Sequence, residues 1–363
     1  MSRLDRLRAA LRANSLDALV VVPGSNLFYL TGLRFTTKLR LTAAIIPADG
    51  EPSLVLPALE LDRAKSELRE ALPILTWGDA EGPTAALHKA STAANLAGKR
   101  IGIENTVMRV FELRGLEQAA IGAEIVDATN LIAAMRMVKQ PDELAAMREA
   151  VRLIEETLHH TVERMHAGMT ELEVEAIWAG AIQAAGVQPS FGLAVGSGPN
   201  GANPHHTNGE RQLQAGDLVV LDGGVYVDGY ASDITRTIAV GAISEEARRI
   251  YDLVQAANAA GRAACVPGAS GDAIDHAARL VIEQGGYGPA FIHRTGHGLG
   301  LDIHEPPFIV SGNHEPLPIG STFTVEPGIY LTGKLGVRIE DDMVITADGA
   351  ESLTSFERGL VTC

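Results

Sequence analysis

Hydrophobic positions in the first third of the chain fall into two kinds of pattern. The N-terminal stretch MSRLDRLRAALRANS reads as an amphipathic helix interrupted by arginines. The short runs DALVVV, LTAAII, SLVLP, RIGIE and AEIVD are β-rich and predict strands. Helical patterns alternating with such runs describe a modest α/β domain over residues 1–132. Around MVKQPDELAAMREA the texture changes: Pro141 suits the first turn of a helix, and Asp142 and Glu143 are favoured beside the positive end of its dipole. A second domain is therefore expected over residues 133–363.

That second domain repeats itself. Gly168, Thr170, Ile182 and Gly186 recur one hundred residues later as Gly268, Ser270, Ile282 and Gly286, so each copy reads as a helix capped by Thr or Ser and stopped by Gly. Thr170 with Glu173 forms a capping box. After each helix comes a histidine-containing stretch, NPHH or DIHEPP, and then a hairpin pattern. At an offset of 104, LDGGVY (221–226) aligns with VEPGIY (325–330), which makes Glu326 the counterpart of Asp222. The return strands ASDITRT and VRIEDDM pair Asp233 with Glu340. Two similar hairpins imply two half-domains facing each other across a pseudo-twofold axis.

Why apolar hairpins should carry carboxylates is a matter of register. A two-residue turn at Asp228-Gly229 pairs positions whose numbers sum to 457, setting Asp222 against Thr235 and Asp233 against Gly224. Both aspartates then share a face, diagonal neighbours roughly 7–8 Å apart at the backbone. Glu326 and Glu340 are equidistant from Gly333, so an odd-length loop centred there sets them opposite one another. The alternative is a set of solvated surface charges, and Asp341, in the EDD run at 340–342, is read that way. Four convergent carboxylates repel one another unless they share a cation, and four are more than one divalent ion usually needs, so a two-metal site is expected. An open position there wants a neutral imidazole. His297 in RTGHGLGLDIHE is the candidate, its flanking glycines letting the backbone approach closely.

Composition narrows the chemistry further. A chain of 363 residues with 46% hydrophobic content suits two domains with sizeable cores. A formal charge of −15 and a pI near 5.2 argue against a nucleic-acid backbone or an anionic membrane as the main partner. Cys265 and Cys363 are too few for a disulfide framework or a thiolate zinc site, so a metal must be held by His and carboxylates. The N-terminus does not read as a signal peptide and no run of about 18 apolar residues occurs, which makes the cytoplasm the default expectation. One rival is an oxidoreductase: GSGPNGA at 196–202 has dinucleotide-binding glycine spacing, with Asp222 following at a suitable distance. Pro199 and Pro204 oppose the helix that such a motif requires.

In GDLVVLDGG, SDITRT, FIHRTGHGLGLDIHE, VEPGIY and VRIED, together with SNLFYLTG near the N-terminus, the sequence resembles the pita-bread dinuclear metallopeptidases, which include methionine aminopeptidase, aminopeptidase P and prolidase. The resemblance covers most of the chain. It implies an α/β (α+β) protein with a small creatinase-like N-terminal domain and a pita-bread catalytic domain. It implies five metal ligands, Asp222, Asp233, His297, Glu326 and Glu340, and none is substituted. It further implies three substrate-facing histidines, His205, His293 and His304, with Arg338 as a support beside Glu340.

Two divalent ions roughly 3.5–4 Å apart can activate a shared water as the nucleophile. Glu326 would carry its proton towards the leaving nitrogen, and His205 and His304 would donate to the developing oxyanion. Oxygen-rich ligation with one imidazole favours Mn²⁺, with Co²⁺ or Zn²⁺ able to substitute. His206 competes with His205 for one role, and the family pattern Pro204-His205 favours His205. His159, His160 and His276 fall in helical patterns, and His88, His166 and His314 receive no role. The extra N-domain, FIHRTGHG and DIHEPP look like the proline-specific branch, so the expected substrate is a short peptide with proline second, cleaved by an Xaa-Pro dipeptidase or by aminopeptidase P. Dipeptide preference needs a cation for the substrate carboxylate: His293, Arg338, or Arg34, Lys38 or Arg40 of a loop that a second subunit could contribute. The resemblance also implies a homodimer. A non-catalytic peptide-binding module or a creatinase-like amidinohydrolase would be expected to have lost ligands, and none is lost.

Overall fold

Leu4, Leu7 and Leu11 recur along one side of α1 (Arg3–Ala13) and are buried, as the amphipathic pattern requires. The computed structural model describes residues 2–35 and 39–363, and its contacts divide the chain into Met1–Arg136 and Met137–Cys363. After α1 the first unit runs β1 (Ala18–Val21), α2 (Ser25–Thr31), β2 (Ala43–Pro47), β3 (Ser53–Pro57), α3 (Leu61–Glu67), β4 (Ile74–Trp77), α4 (Thr84–Ala93), β5 (Arg100–Ile103), α5 (Val110–Ala119) and β6 (Glu124–Asp127). A last helix, α6 (Thr129–Met137), reaches the division.

The strands form one sheet in the order β4-β3-β2-β1-β5-β6. Its β1–β2 and β2–β3 pairs are antiparallel, and the other three are parallel. All five runs read as strands in the sequence are strands, and β4 is an addition. β1, β2 and β3 are buried along their whole length, which explains why they read as continuous apolar runs rather than alternating ones.

The second unit opens with α7 (Pro141–Val162), whose Pro141 sits in the first turn and whose Gln140 and Glu143 make a capping box. α8 (Glu171–Ala184) follows, with Thr170 and Glu173 reciprocally bonded at its start. Next come β7 (Gln188–Pro189), β8 (Ala194–Ser197), β9 (Leu218–Gly223), β10 (Val225–Val227), β11 (Tyr230–Ala231) and β12 (Ile234–Ala239). The GSGPNGA stretch passes from β8 into a short 3-10 turn, Gly198–Ala202, and no α-helix starts there, so the dinucleotide reading falls.

The second half repeats the plan. Its helices are α9 (Glu245–Ala264) and α10 (Gly271–Gln284), and its strands are β13 (Gly296–Gly298), β14 (Glu305–Ile309), β15 (Thr322–Val325), β16 (Gly328–Leu331), β17 (Leu335–Arg338), β18 (Asp341–Thr346) and β19 (Gly349–Ser352). Thr170 bridges to Gln212 and Ser270 bridges to Pro316, so even the cap-to-hairpin tie recurs. β12-β9-β8 form one sheet and β14-β13-β15-β18-β19 another.

Both registers follow the turn arithmetic. Thr235 pairs with Asp222 and Tyr226 with Ala231, each sum being 457, around Asp228 (φ 50°) and Gly229 (φ 87°), two left-handed residues as a type I′ turn demands. Gly328 pairs with Arg338 and Val325 with Asp341, each sum being 666, which brackets Glu326 and Glu340 about Gly333. The halves meet where Glu340 N donates to Thr235 O (3.1 Å) and Thr237 Oγ1 to Arg338 O (2.9 Å). That seam brings the end of one hairpin onto the other.

Candidate active site

Asp222 on β9 and Asp233 just before β12 come from the first hairpin; Glu326 and Glu340 flank the second. His297, in β13, faces them. One oxygen of Asp233, one of Glu340 and an imidazole nitrogen of His297 lie within 4.8 Å of one another. His297 Nε2 stands 3.4 Å from Glu326 Oε1 and 3.8 Å from Asp233 Oδ2. Its Nδ1 faces Gly298 O (3.1 Å), which turns Nε2 towards the carboxylates. Burial, together with His304 beside it, pushes the His297 pKa down to about 3, so the ring is a neutral lone-pair donor at ordinary pH.

The carboxylates show the opposite stress. Burial, and then the charges of Glu340 and Asp222, push the Asp233 pKa well above its usual range. Burial and the charge of Glu326 do the same to Glu340. Burial raises Glu326 to about 7. Asp222 Oδ1 and Asp233 Oδ1 are buried without a hydrogen-bond partner. Uncompensated acceptors converging on one imidazole are a donor set for a hard or borderline divalent cation, which would supply the missing positive charge. The residues therefore fit a metal.

Around the donors lies a cavity of about 540 Å³. It is lined by all nine residues singled out from the sequence: Asp222, Asp233, His297, Glu326, Glu340, His205, His293, His304 and Arg338. Phe191, Ile292 and Ile303 give it apolar walls. His304 packs edge-on against His297, ring centres 4.0 Å apart. Arg338 is buried and fully engaged: Nη2 donates to Asp222 Oδ2 (2.7 Å), Nε to Thr235 Oγ1 (3.0 Å) and Nη1 to the Tyr330 hydroxyl (2.9 Å). His293 lines the cavity with both nitrogens occupied, Nδ1 near Arg294 O (2.7 Å) and Nε2 near the Tyr330 hydroxyl (2.8 Å). His206 is drawn away onto the buried Glu171 (2.7 Å), which leaves His205 in the cavity.

Tyr330 and Arg294 were not picked out from the sequence. The signal for Tyr330 was present, since it closes VEPGIY at the repeat position of Tyr226. Arg294 lines the cavity with its guanidinium 4.6 Å over the Phe308 ring, and among the described residues it pairs with no carboxylate. Of the loop cations, Arg40 makes a two-pronged ion pair with Asp79, Arg34 stacks over Phe28, and Lys38 lies outside the described residues.

Residues 145–347 match the model of metallopeptidase family M24, and residues 3–138 match the creatinase/prolidase N-terminal domain. The chain belongs to family M24. This M24 protein is similar over 99% of its length to a prolidase from Thermococcus sibiricus (34% identity, TM-score 0.93, 98% of that chain). It is similar over the same share to dipeptidase PepE from Mycobacterium ulcerans (39% identity, TM-score 0.92, 96% of that chain). An X-Pro aminopeptidase from Thermotoga maritima matches end to end at 29% identity and TM-score 0.88. The M24 protein is thus a metal-dependent hydrolase with the pita-bread fold, acting on small peptides. No helix among its described residues is long and apolar enough to cross a membrane.

Proposed function

We propose that this M24 metallopeptidase is an Xaa-Pro dipeptidase, with Asp222, Asp233, His297, Glu326 and Glu340 holding two divalent cations, Mn²⁺ by preference. The observation that carries the reading is the Asp233–His297–Glu340 cluster, with the unpartnered acceptors beside it, at a cavity of about 540 Å³. The names of the prolidase and dipeptidase relatives support it. Divalent cations bound there supply Lewis acidity towards a water molecule and the scissile carbonyl.

The chain's own residues do the rest. Glu326 carries a proton at its carboxylate oxygens from water to the leaving nitrogen. His205 and His304 donate hydrogen bonds to the carbonyl oxygen as it gains charge. Arg338, locked between Tyr330 and Thr235, holds Asp222 in place. Phe191, Ile292 and Ile303 offer apolar contact to the proline ring and its neighbour. A bond to proline is a tertiary amide without N–H, so apolar contact rather than hydrogen bonding must recognise it. Since Arg338 and His293 are already engaged, Arg294 is the cation that meets the substrate carboxylate. The same reading takes the enzyme to be a cytoplasmic homodimer.

Hydrolysis of Ala-Pro, Ala-Pro-Ala, Ala-Pro-NH₂ and Ala-Ala with Mn²⁺, and again after chelation, tests this. Ala-Pro should be the best substrate and chelation should abolish its turnover. Arg294→Ala should cut kcat/KM for Ala-Pro by about 10- to 100-fold, as expected for loss of a charge-assisted contact, and leave Ala-Pro-NH₂ nearly unchanged. Faster cleavage of Ala-Pro-Ala would make the protein an X-Pro aminopeptidase instead. Indifference to chelation would sink the metal site.

A further inference from the structure

Glu171, the first residue of α8, is a carboxylate with no accessible surface, and among the described residues no lysine or arginine pairs with it. Its two oxygens are nevertheless saturated. Oε1 accepts from Ser197 N (2.9 Å), Ser197 Oγ (2.6 Å) and Asn200 Nδ2 (2.9 Å). Oε2 accepts from Gly209 N (3.1 Å) and faces His206 Nε2 at 2.7 Å. One oxygen thus holds the start of the segment 197–209 and the other holds its end.

Between those two grips the chain carries Asn203, Pro204 and His205 along the cavity wall. Past Ala202 this stretch has no helix or strand of its own. Its local ties are Asn203 N to Asn200 O (3.0 Å), His206 N to Asn203 O (3.1 Å) and His205 N to Asn203 Oδ1 (3.1 Å). Behind it, Gly201 lies so close to Gly336 that a Cβ on Gly336 would stand 1.7 Å from Gly201 O. Burial alone would raise the Glu171 pKa, but the hydrogen bonds from Ser197, His206 and Asn200 outweigh it and hold the group below the ordinary glutamate value. It is a charged acceptor at neutral pH.

We infer that Glu171 is a positioning residue: by clasping both ends of residues 197–209 it fixes where the His205 ring stands in the cavity, and His206 is part of the clasp. The inference rests on the reading of His205 as a substrate-facing donor. A ring on an irregular segment donates usefully only if its backbone is held, because a small displacement from the reacting geometry costs a large part of the rate. The pairing also explains why two adjacent histidines do unlike jobs.

The test uses the Mn²⁺-loaded enzyme and Ala-Pro. Glu171→Gln keeps the size of the side chain but leaves it one acceptor oxygen, so one end of the segment comes loose. We expect kcat/KM to fall about tenfold, chiefly in kcat. In a His205→Ala background the same substitution should change kcat/KM by less than about twofold, because residues acting as one unit are not additive. His206→Gln, which retains an N–H to give Glu171, should keep most of the activity, whereas His206→Ala should follow Glu171→Gln. Hydrogen exchange of residues 197–209 should quicken in Glu171→Gln and His206→Ala and stay unchanged elsewhere.

Equal losses with and without His205, no advantage of His206→Gln over His206→Ala, or unaltered exchange would each overturn the inference. A wild-type enzyme inert towards Ala-Pro would instead count against the dipeptidase reading, and the exchange measurement would still decide whether Glu171 holds the segment.

Discussion

Asp341 and Asp342 are neighbours in β18 with opposite surroundings. Successive side chains on a strand face opposite ways, so Asp342 shares the face of Glu340 and accepts from Asp233 N (3.0 Å), while Asp341 points to the other side. There it meets Arg236 (2.9 Å), Arg358 (2.8 Å) and Arg262 (3.3 Å). Burial would raise its pKa, but the guanidinium groups of Arg236 and Arg358 bring it down to about 2. The expectation of a solvated edge at Asp341 is therefore wrong: the residue has no exposed surface. Its three cations come from positions 236, 262 and 358, too far apart in sequence for any local pattern to announce. Asp341→Ala strands the buried Arg236 and should cost about 3–5 kcal/mol in urea unfolding. Because the folded pKa is depressed, this contribution is complete above the ordinary aspartate range and is lost as pH falls through about 2. The gap between Asp341→Asn and wild type should accordingly narrow in acid.

At the scale of the element, two glycines of one hairpin separate conformational strain from steric strain. Gly333 turns at φ 76° in open space, and a Cβ there meets nothing within 4 Å. Gly336, three residues on, is pressed against Gly201 O. Gly333→Ala should cost about 1 kcal/mol and spare activity, since only the left-handed backbone is penalised. Gly336→Ala should cost about 3 kcal/mol and also lower kcat, because the atom it displaces belongs to the segment that carries His205. Thermal unfolding and Ala-Pro turnover of the two variants check both statements. The hairpins were the most legible part of the chain because register is arithmetic: one turn position fixes every pair. Neither length nor burial explains why β4 was missed, since Ile74–Trp77 is as long as β1 and no less buried than β6. Glu171 was missed because the first turn of a helix is where a glutamate is expected anyway, and only the fold shows five donors arriving at it.

For the whole molecule, the four carboxylates at the seam act as one repulsive unit. Each of Asp233 and Glu340 is destabilised by both Asp222 and Glu326 as well as by burial. Removing divalent cations should lower the unfolding temperature, and restoring Mn²⁺ to about one hundred times its Kd should return about 2.7 kcal/mol. Glu340→Gln should show little of this gain. Calorimetry with and without chelator, on wild type and variant, decides it. The four carboxylates were legible because the repeat points at them, and His297 because glycines flank it beside an open position; His205, His293, His304 and Arg338 were expected only through the family resemblance, and Arg294 stands in one half alone with no echo in the other.

The repeat also has a consequence for assembly. Either hairpin by itself displays two of the four carboxylates, and His297 belongs to the second copy only. Because both copies lie on one chain, the full donor set comes together by an intramolecular event, at an effective concentration that does not depend on how much protein is present.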